Sequence, residues 1–164
     1  MLNRLERTVR RRLPRSVALR FSLLPQLWRC GGDEQTAQKL FLDLVAGAAS
    51  EIKAGGRLII GTRNYAFDEA SVLATPGAEI GEFVRLTVRD SGPGLSDAAL
   101  DQVLDPALTT RPAAAMAAAA LRRIGGFVRV ESAEGIGTAV HLYFPRVAAA
   151  ASGAAKNGEA AAAE

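Results

Sequence analysis

Residues 81–95 read GEFVRLTVRDSGPGL. Val84, Leu86 and Val88 alternate along the first part and share one face of an extended chain, the period of a half-buried strand. The strand runs into Asp90 and turns at Gly92 and Gly94. A carboxylate beside glycines lets a flat polar ligand reach the backbone without meeting a side chain. An ionised Asp only accepts hydrogen bonds, as from an exocyclic amine, and adenine fits that description. Asp, Ser, Gly and Pro also dominate ordinary turns, so D-x-G-x-G alone has two readings, a ligand turn and a plain one.

Working outward, Leu2, Leu5, Val9 and Leu13 recur at helical spacing, with Arg4, Arg7, Arg10, Arg11 and Arg12 on the other faces and Pro14 as the stop. A strand follows over 17–23, with Val17, Leu19, Phe21 and Leu23 on its buried side. Asp33 is the expected N-cap of a helix that buries Leu40, Phe41, Leu44, Val45, Ala48 and Ile52 and ends at Gly55. Strands are expected at 58–63 and 83–89, joined by an irregular loop over 64–81. Ser96 caps a short helix, and the alanine-rich stretch 113–124 forms another, because alanine is the best helix former. Strands 127–132 and 138–144 close a hairpin around Gly135 and Gly137.

From Leu2 to Arg146 the chain resembles the catalytic and ATP-binding domain of sensor histidine kinases, in the superfamily that includes gyrase B, Hsp90 and MutL. The segments that carry the likeness, in order, are RLIIGTRN after Gly55-Gly56, GEFVRLTVRDSGPGL, DPALTTRP and GGFVRVESAEGIGTAVHLYFPR. The resemblance implies an α/β two-layer sandwich, a mixed β-sheet with helices packed on one face. It assigns adenine recognition to Asp90, Gly92, Gly94 and Thr138, each of which also has a plain turn or strand reading.

Set against that family, the chain departs at the phosphate end. Where the family has the helix NLVxNAxxA, the chain reads Asp43-Leu44-Val45-Ala46-Gly47-Ala48-Ala49-Ser50, and Gly47 stands at the magnesium-binding asparagine. Asp43, Gly47 and Ser50 are thus degenerate positions, and no metal is expected. The family's lid and its GxGLGL box, whose backbone N–H groups hold phosphates at a helix N-terminus, are replaced by AAAMAAAALRRI without a glycine. Ala107 and Leu108 replace family phenylalanines. Two missing charge-assisted hydrogen bonds weaken binding by about 3–6 kcal/mol, roughly a hundred- to ten-thousandfold. Phosphoryl transfer suffers more, since metal and backbone contacts to the transferring group are most of what such domains contribute. ATP binding is therefore expected to be weak at most, without magnesium.

The chain has 164 residues and a formal net charge of +3, room for one sizeable core. No apolar run approaches membrane-spanning length, and the lone Cys30 can form no intramolecular disulfide, which together with the basic N-terminus suggests a cytoplasmic domain. Residues 1–147 are expected to form the domain and 148–164 an alanine-rich disordered tail. His141, the only histidine, is expected to face solvent with Tyr143. Clustered arginines near the N-terminus raise nucleic-acid binding; no reading motif accompanies them, a basic face docking on an acidic protein is the better functional reading, and a plain solvated face is favoured over both.

These readings converge on a degenerate histidine-kinase-type domain, a signalling pseudokinase acting by protein contact. The alternatives are an active ATP-binding subunit phosphorylating a histidine in trans, and a kinase fragment without function. Expected partners are a kinase helical domain, a receiver domain or a second copy. They would contact Leu108 and Met116 on an apolar wall formed with the alanine helix, assisted by Arg7, Arg10 and Arg11.

Overall fold

The computed structural model describes residues 2–147. The tail expected over 148–164 lies outside the described residues. The elements in chain order are α1 (Leu2–Arg12), β1 (Ala18–Ser22), α2 (Glu34–Glu51), β2 (Arg57–Phe67), α3 (Glu69–Leu73), β3 (Gly81–Asp90), α4 (Asp97–Asp101), α5 (Pro112–Arg122), β4 (Phe127–Ala133) and β5 (Gly137–Pro145). One five-stranded sheet has the order β1-β2-β3-β5-β4. Only β1 and β2 run parallel; the other pairings are antiparallel, so the sheet is mixed.

The helical layer packs on one face through the alternating residues of the strands. Leu58 and Ile60 of β2, Leu86 and Val88 of β3, and Val140 and Leu142 of β5 meet Phe41, Leu44 and Val45 of α2 in the main core. Asp33 caps α2 as expected, its carboxylate accepting from the Thr36 N–H at 2.7 Å. The helix ends at Glu51, earlier than Gly55; the N–H of Gly55 is donated to the Ser16 carbonyl in the turn into β2. In α5, Ala114, Ala115, Ala117, Ala118 and Leu121 are buried. Alanines there let the helix approach α2 and the sheet closely, so they are core and not the exposed apolar wall expected from composition.

The irregular loop expected over 64–81 is largely ordered structure. β2 continues to Phe67 and pairs with β3 as far as Phe67↔Gly81. Tyr65 and Phe67 extend the period-2 pattern on the far face, where Phe67, Phe83 and Tyr143 form a second hydrophobic cluster covered by Val72 and Ala78. The Asp68 carboxylate caps α3 by accepting from the Ser71 N–H at 2.8 Å. The strand signal here is carried by aromatics on the face away from the main core, where local sequence shows no burial.

The same cluster explains why His141 and Tyr143 are buried, contrary to the expectation that they face solvent. They do point away from the main core, as alternation requires. Tyr143 stacks on Phe127 with ring centroids 4.4 Å apart, and His141 lies between Thr87 and Arg129 on the neighbouring strands. Its Nδ1 is 2.8 Å from Thr87 Oγ1 and its Nε2 is 3.5 Å from Glu131.

Burial holds the His141 pKa below its ordinary 6.5; Glu131 opposes the shift, while Arg85 and Arg89 add to it. The unfolded chain therefore binds a proton in a pH range where the folded chain does not. This contribution to stability is complete above pH 6.5 and is lost as pH falls toward the lowered folded value. The urea midpoint should fall as the buffer is taken from neutral to mildly acidic, and His141→Gln should flatten that dependence. An unchanged pH profile in the variant would place the effect on another group.

Candidate functional site

Asp90 continues the buried row of β3, taking the place after Val84, Leu86 and Val88 where another apolar residue would point into the helical layer. It is 5 % exposed. A buried carboxylate is stable only when hydrogen-bonded or paired. One oxygen, Oδ1, accepts from the backbone N–H of Gly92 at 2.9 Å and from that of Thr138 at 3.3 Å. The other, Oδ2, accepts from Nη1 of Arg111 at 3.2 Å.

The two glycine turns interlock around this carboxylate. A Cβ on Gly94, at φ +73, would lie 2.0 Å from the Ala133 carbonyl oxygen, and one on Gly137, at φ +137, would lie 2.1 Å from that of Asp90. A Cβ on Gly92 would crowd Asp90 Oδ1 at 2.8 Å. Ser132 ties the pieces together: its Oγ accepts from the Leu95 N–H, donates to the Gly137 carbonyl at 3.0 Å and lies 2.8 Å from the Thr138 hydroxyl. The sequence placed Asp90, Gly92, Gly94 and Thr138 in one site, and the fold brings all four together. Thr138 is buried, its hydroxyl directed to Ser132.

Beside Asp90, between α2 and the start of α5, is a cavity of about 300 Å³ lined by Asp43, Gly47, Ser50, Glu51 and Arg111, among others. Asp43, Gly47 and Ser50 thus face the site together, one helical turn apart. Gly47 offers it no side chain, and a Cβ there would meet nothing within 4 Å. Asp43 is held by Lys39 at 2.6 Å, and the Ser50 hydroxyl donates to the Gly47 carbonyl at 2.7 Å. Among the described residues no group of three or more His, Cys, Asp or Glu side chains is arranged to hold a metal ion.

Arg111 is the residue that sequence reasoning missed. Pro112 begins α5 and fixes the chain direction, so the side chain of the preceding Arg111 is delivered into the cavity. The side chain is 10 % exposed. Besides Asp90 it approaches Glu51, with Nη2 at 3.8 Å, and its Nε and Nη2 have no hydrogen-bond partner. Its guanidinium presents N–H groups to the Asp90 carboxylate as an exocyclic amine would. Only the position of an arginine directly before the Pro112 helix start could have signalled this.

The residues singled out for partner contact lie elsewhere. Leu108, between α4 and α5, is 57 % exposed, and Met116 on the outer side of α5 is 53 % exposed. Arg7 and Arg11 are exposed on α1, and Arg10 pairs with Glu6 at 3.4 Å. Cys30 is an exposed free thiol.

A family model described as histidine kinase-, DNA gyrase B-, and HSP90-like ATPase matches residues 32–148. The sensor kinase CckA of Brucella abortus (strain 2308) is 24 % identical over 128 residues, which is 74 % of this chain and 14 % of that protein. Mycobacterial sensor histidine kinase MprB superposes with a TM-score of 0.62 at 23 % identity, covering 88 % of this chain and 90 % of that one. The catalytic domain of histidine kinase ThkA gives 0.64 at 17 % identity, covering 88 % and 87 %. Full-length ShkA, solved in complex with AMPPNP, gives 0.64 at 19 % identity, covering 88 % and 30 %. The mixed sheet with its helical layer is the architecture of these catalytic domains.

The interlocked glycines make a mutational test of the site's framework. Gly137→Ala forces a methyl onto the Asp90 carbonyl and an unfavourable φ together, and should cost at least about 3 kcal/mol. Chemical denaturation measures this directly; Gly47→Ala, in the interior of α2 with open space around it, should change stability in the opposite direction, by about 0.5–1 kcal/mol.

Proposed function

The chain belongs to the histidine kinase-, DNA gyrase B-, and HSP90-like ATPase family, and we propose that it is a degenerate member, a pseudokinase domain of two-component-type signalling that acts by protein contact. The observation that carries this reading is the Arg111–Asp90 ion pair. The carboxylate that family resemblance assigns to adenine already has an internal partner. Separating a buried ion pair costs about 3–5 kcal/mol. One hydrogen bond from adenine to a carboxylate returns about 1.5–3 kcal/mol. Glu51, near Nη2, offsets part of the remaining deficit, so adenine nucleotides bind weakly at most.

The phosphate side supports the same reading. Gly47 supplies no metal ligand, Asp43 is paired with Lys39, and the segment where the family carries a glycine box is the helix α5 with four buried alanines. The residues around the cavity do not fit a magnesium–triphosphate group, and no catalytic step is assigned. Protein contact falls to the exposed Leu108 and Met116, with Arg7, Arg10 and Arg11 setting long-range attraction. The partner class is a kinase helical domain, a receiver domain or a second copy. A cytoplasmic setting suits such partners, and among the described residues no helix is long and apolar enough to cross a membrane.

Calorimetry with ADP and a non-hydrolysable ATP analogue tests the proposal. The protein as it stands should bind neither tightly and release no phosphate from ATP. Arg111→Ala should bind ADP at least about tenfold more tightly, because Asp90 is freed. Adding Asp90→Asn should abolish that gain, and Gly47→Asn alone should restore no magnesium dependence. Micromolar binding by the unaltered chain, or phosphate release from it that Asp90→Asn removes, would overturn the reading. Leu108→Asp should separately weaken capture of a cognate receiver or helical domain, while charge reversal at Arg7 and Arg11 should change mainly the association rate.

A further inference from the structure

The sheet face opposite the main core gathers arginines that are scattered in the sequence. Strand alternation and register place Arg20 of β1, Arg57 and Arg63 of β2, Arg85 and Arg89 of β3, and Arg129 of β4 on that face. Glu131 is the one acidic residue among them in the strands, and it is engaged by Arg129 at 3.5 Å and by His141. Among the described residues the other five arginines have no carboxylate within salt-bridge distance. Arg85 stands over the Tyr65 ring at 5.1 Å, with its Nε unpartnered.

The register also gives this face a shape. Arg20 and Arg89 flank Ile59 in one row across the strands, and Arg63 is paired with Arg85 in another. Between them runs a row of small residues, Ser22, Gly61 and Thr87. The two arginine rows are four residues apart along β2, a separation of about 13 Å. A Cβ on Gly61 would meet only the Ser22 carbonyl, at 3.5 Å, so the space above the middle of the row is open. At one end the row of Arg89 borders a depression of about 410 Å³ lined by Arg57, Ile59, Glu131 and Ile136, among others.

We infer that this trough binds single-stranded nucleic acid, with the sugar-phosphate backbone between the arginine rows and a base in the depression against Ile59 and Ile136. The chemistry distinguishes this occupant from others. The core of a protein–protein interface is rich in aromatic groups and Met as well as Arg; the floor of this trough is Ser22, Gly61 and Thr87, with no aromatic or Met among them. A membrane-surface site presents several apolar groups that insert between headgroups; here Ile136 at the hairpin tip protrudes, 74 % exposed, while Ile59 lies half-buried between Arg20 and Arg89. Guanidinium rows that follow a backbone, beside a site for bases, are what single strands use. The arginines of α1, weighed for this role from the sequence, lie in the helical layer and are not part of it.

The test is fluorescence anisotropy of the full chain with a labelled oligothymidine of about 20 nucleotides. Binding should weaken with salt, with a log–log slope of about −3, the value for four or five phosphates neutralised on a single strand. Arg63→Glu with Arg89→Glu should lower affinity at least about tenfold and flatten the slope. Arg122→Glu with Arg123→Glu, the same charge change at the end of α5, should leave affinity within about twofold. Gly61→Gln, which fills the trough without altering charge, should weaken binding about fivefold, with circular dichroism confirming that each variant is folded. Affinity unchanged by the Arg63/Arg89 reversal would overturn the inference. So would polyglutamate or phosphatidylserine vesicles binding as tightly as the oligonucleotide at equal charge.

Discussion

A carboxylate placed in an apolar row is the constraint around which this domain is arranged. Asp90 occupies a position where alternation calls for a hydrophobic side chain, and its two oxygens must be satisfied without water. The donors come from three places: the Gly92 turn that follows β3, the Thr138 amide that opens β5, and Arg111 just ahead of α5. One side chain thus fixes the relative positions of a turn, a hairpin and a helix start. The close glycine contacts follow from this convergence, because three backbone segments meet where there is space for one Cβ at most.

This arrangement separates what a nucleotide fold needs to be a fold from what it needs to be an enzyme. The interlocked glycine turns stand where backbone segments are in close contact, so the fold needs them whatever the site binds. Gly47, on the cavity side, has open space around it and is not fixed by packing. The alanines of α5 are core, so that α2, α5 and the sheet form one apolar unit. The architecture and the lining of the cavity are thus held by different residues.

Much of this was legible in the sequence. The alternation of Val84, Leu86 and Val88, the Asp33 cap and the glycine turns each carry a local signal strong enough to place an element. What escaped notice was set by tertiary context. Tyr65 and Phe67 prolong β2 because aromatics from four strands meet on the far face, an event no window of sequence contains. His141 was placed on the correct side of its strand, yet that side is covered by neighbours on other strands. Arg111 carries no motif; its role depends on the direction Pro112 gives the chain and on a carboxylate 21 residues earlier. The arginines of the sheet become a group only through strand register.

The packing of α5 against α2 and the sheet has a consequence for how such a domain can carry information. In a nucleotide-gated protein the closing segment is held weakly, so that a ligand chooses between two shapes. Here α5 is anchored by Leu121 and four buried alanines, and the adjoining arginine is itself paired. Moving α5 would uncover those apolar groups and part the Arg111–Asp90 pair, so any change of shape here has to be driven by a contact that offsets both losses.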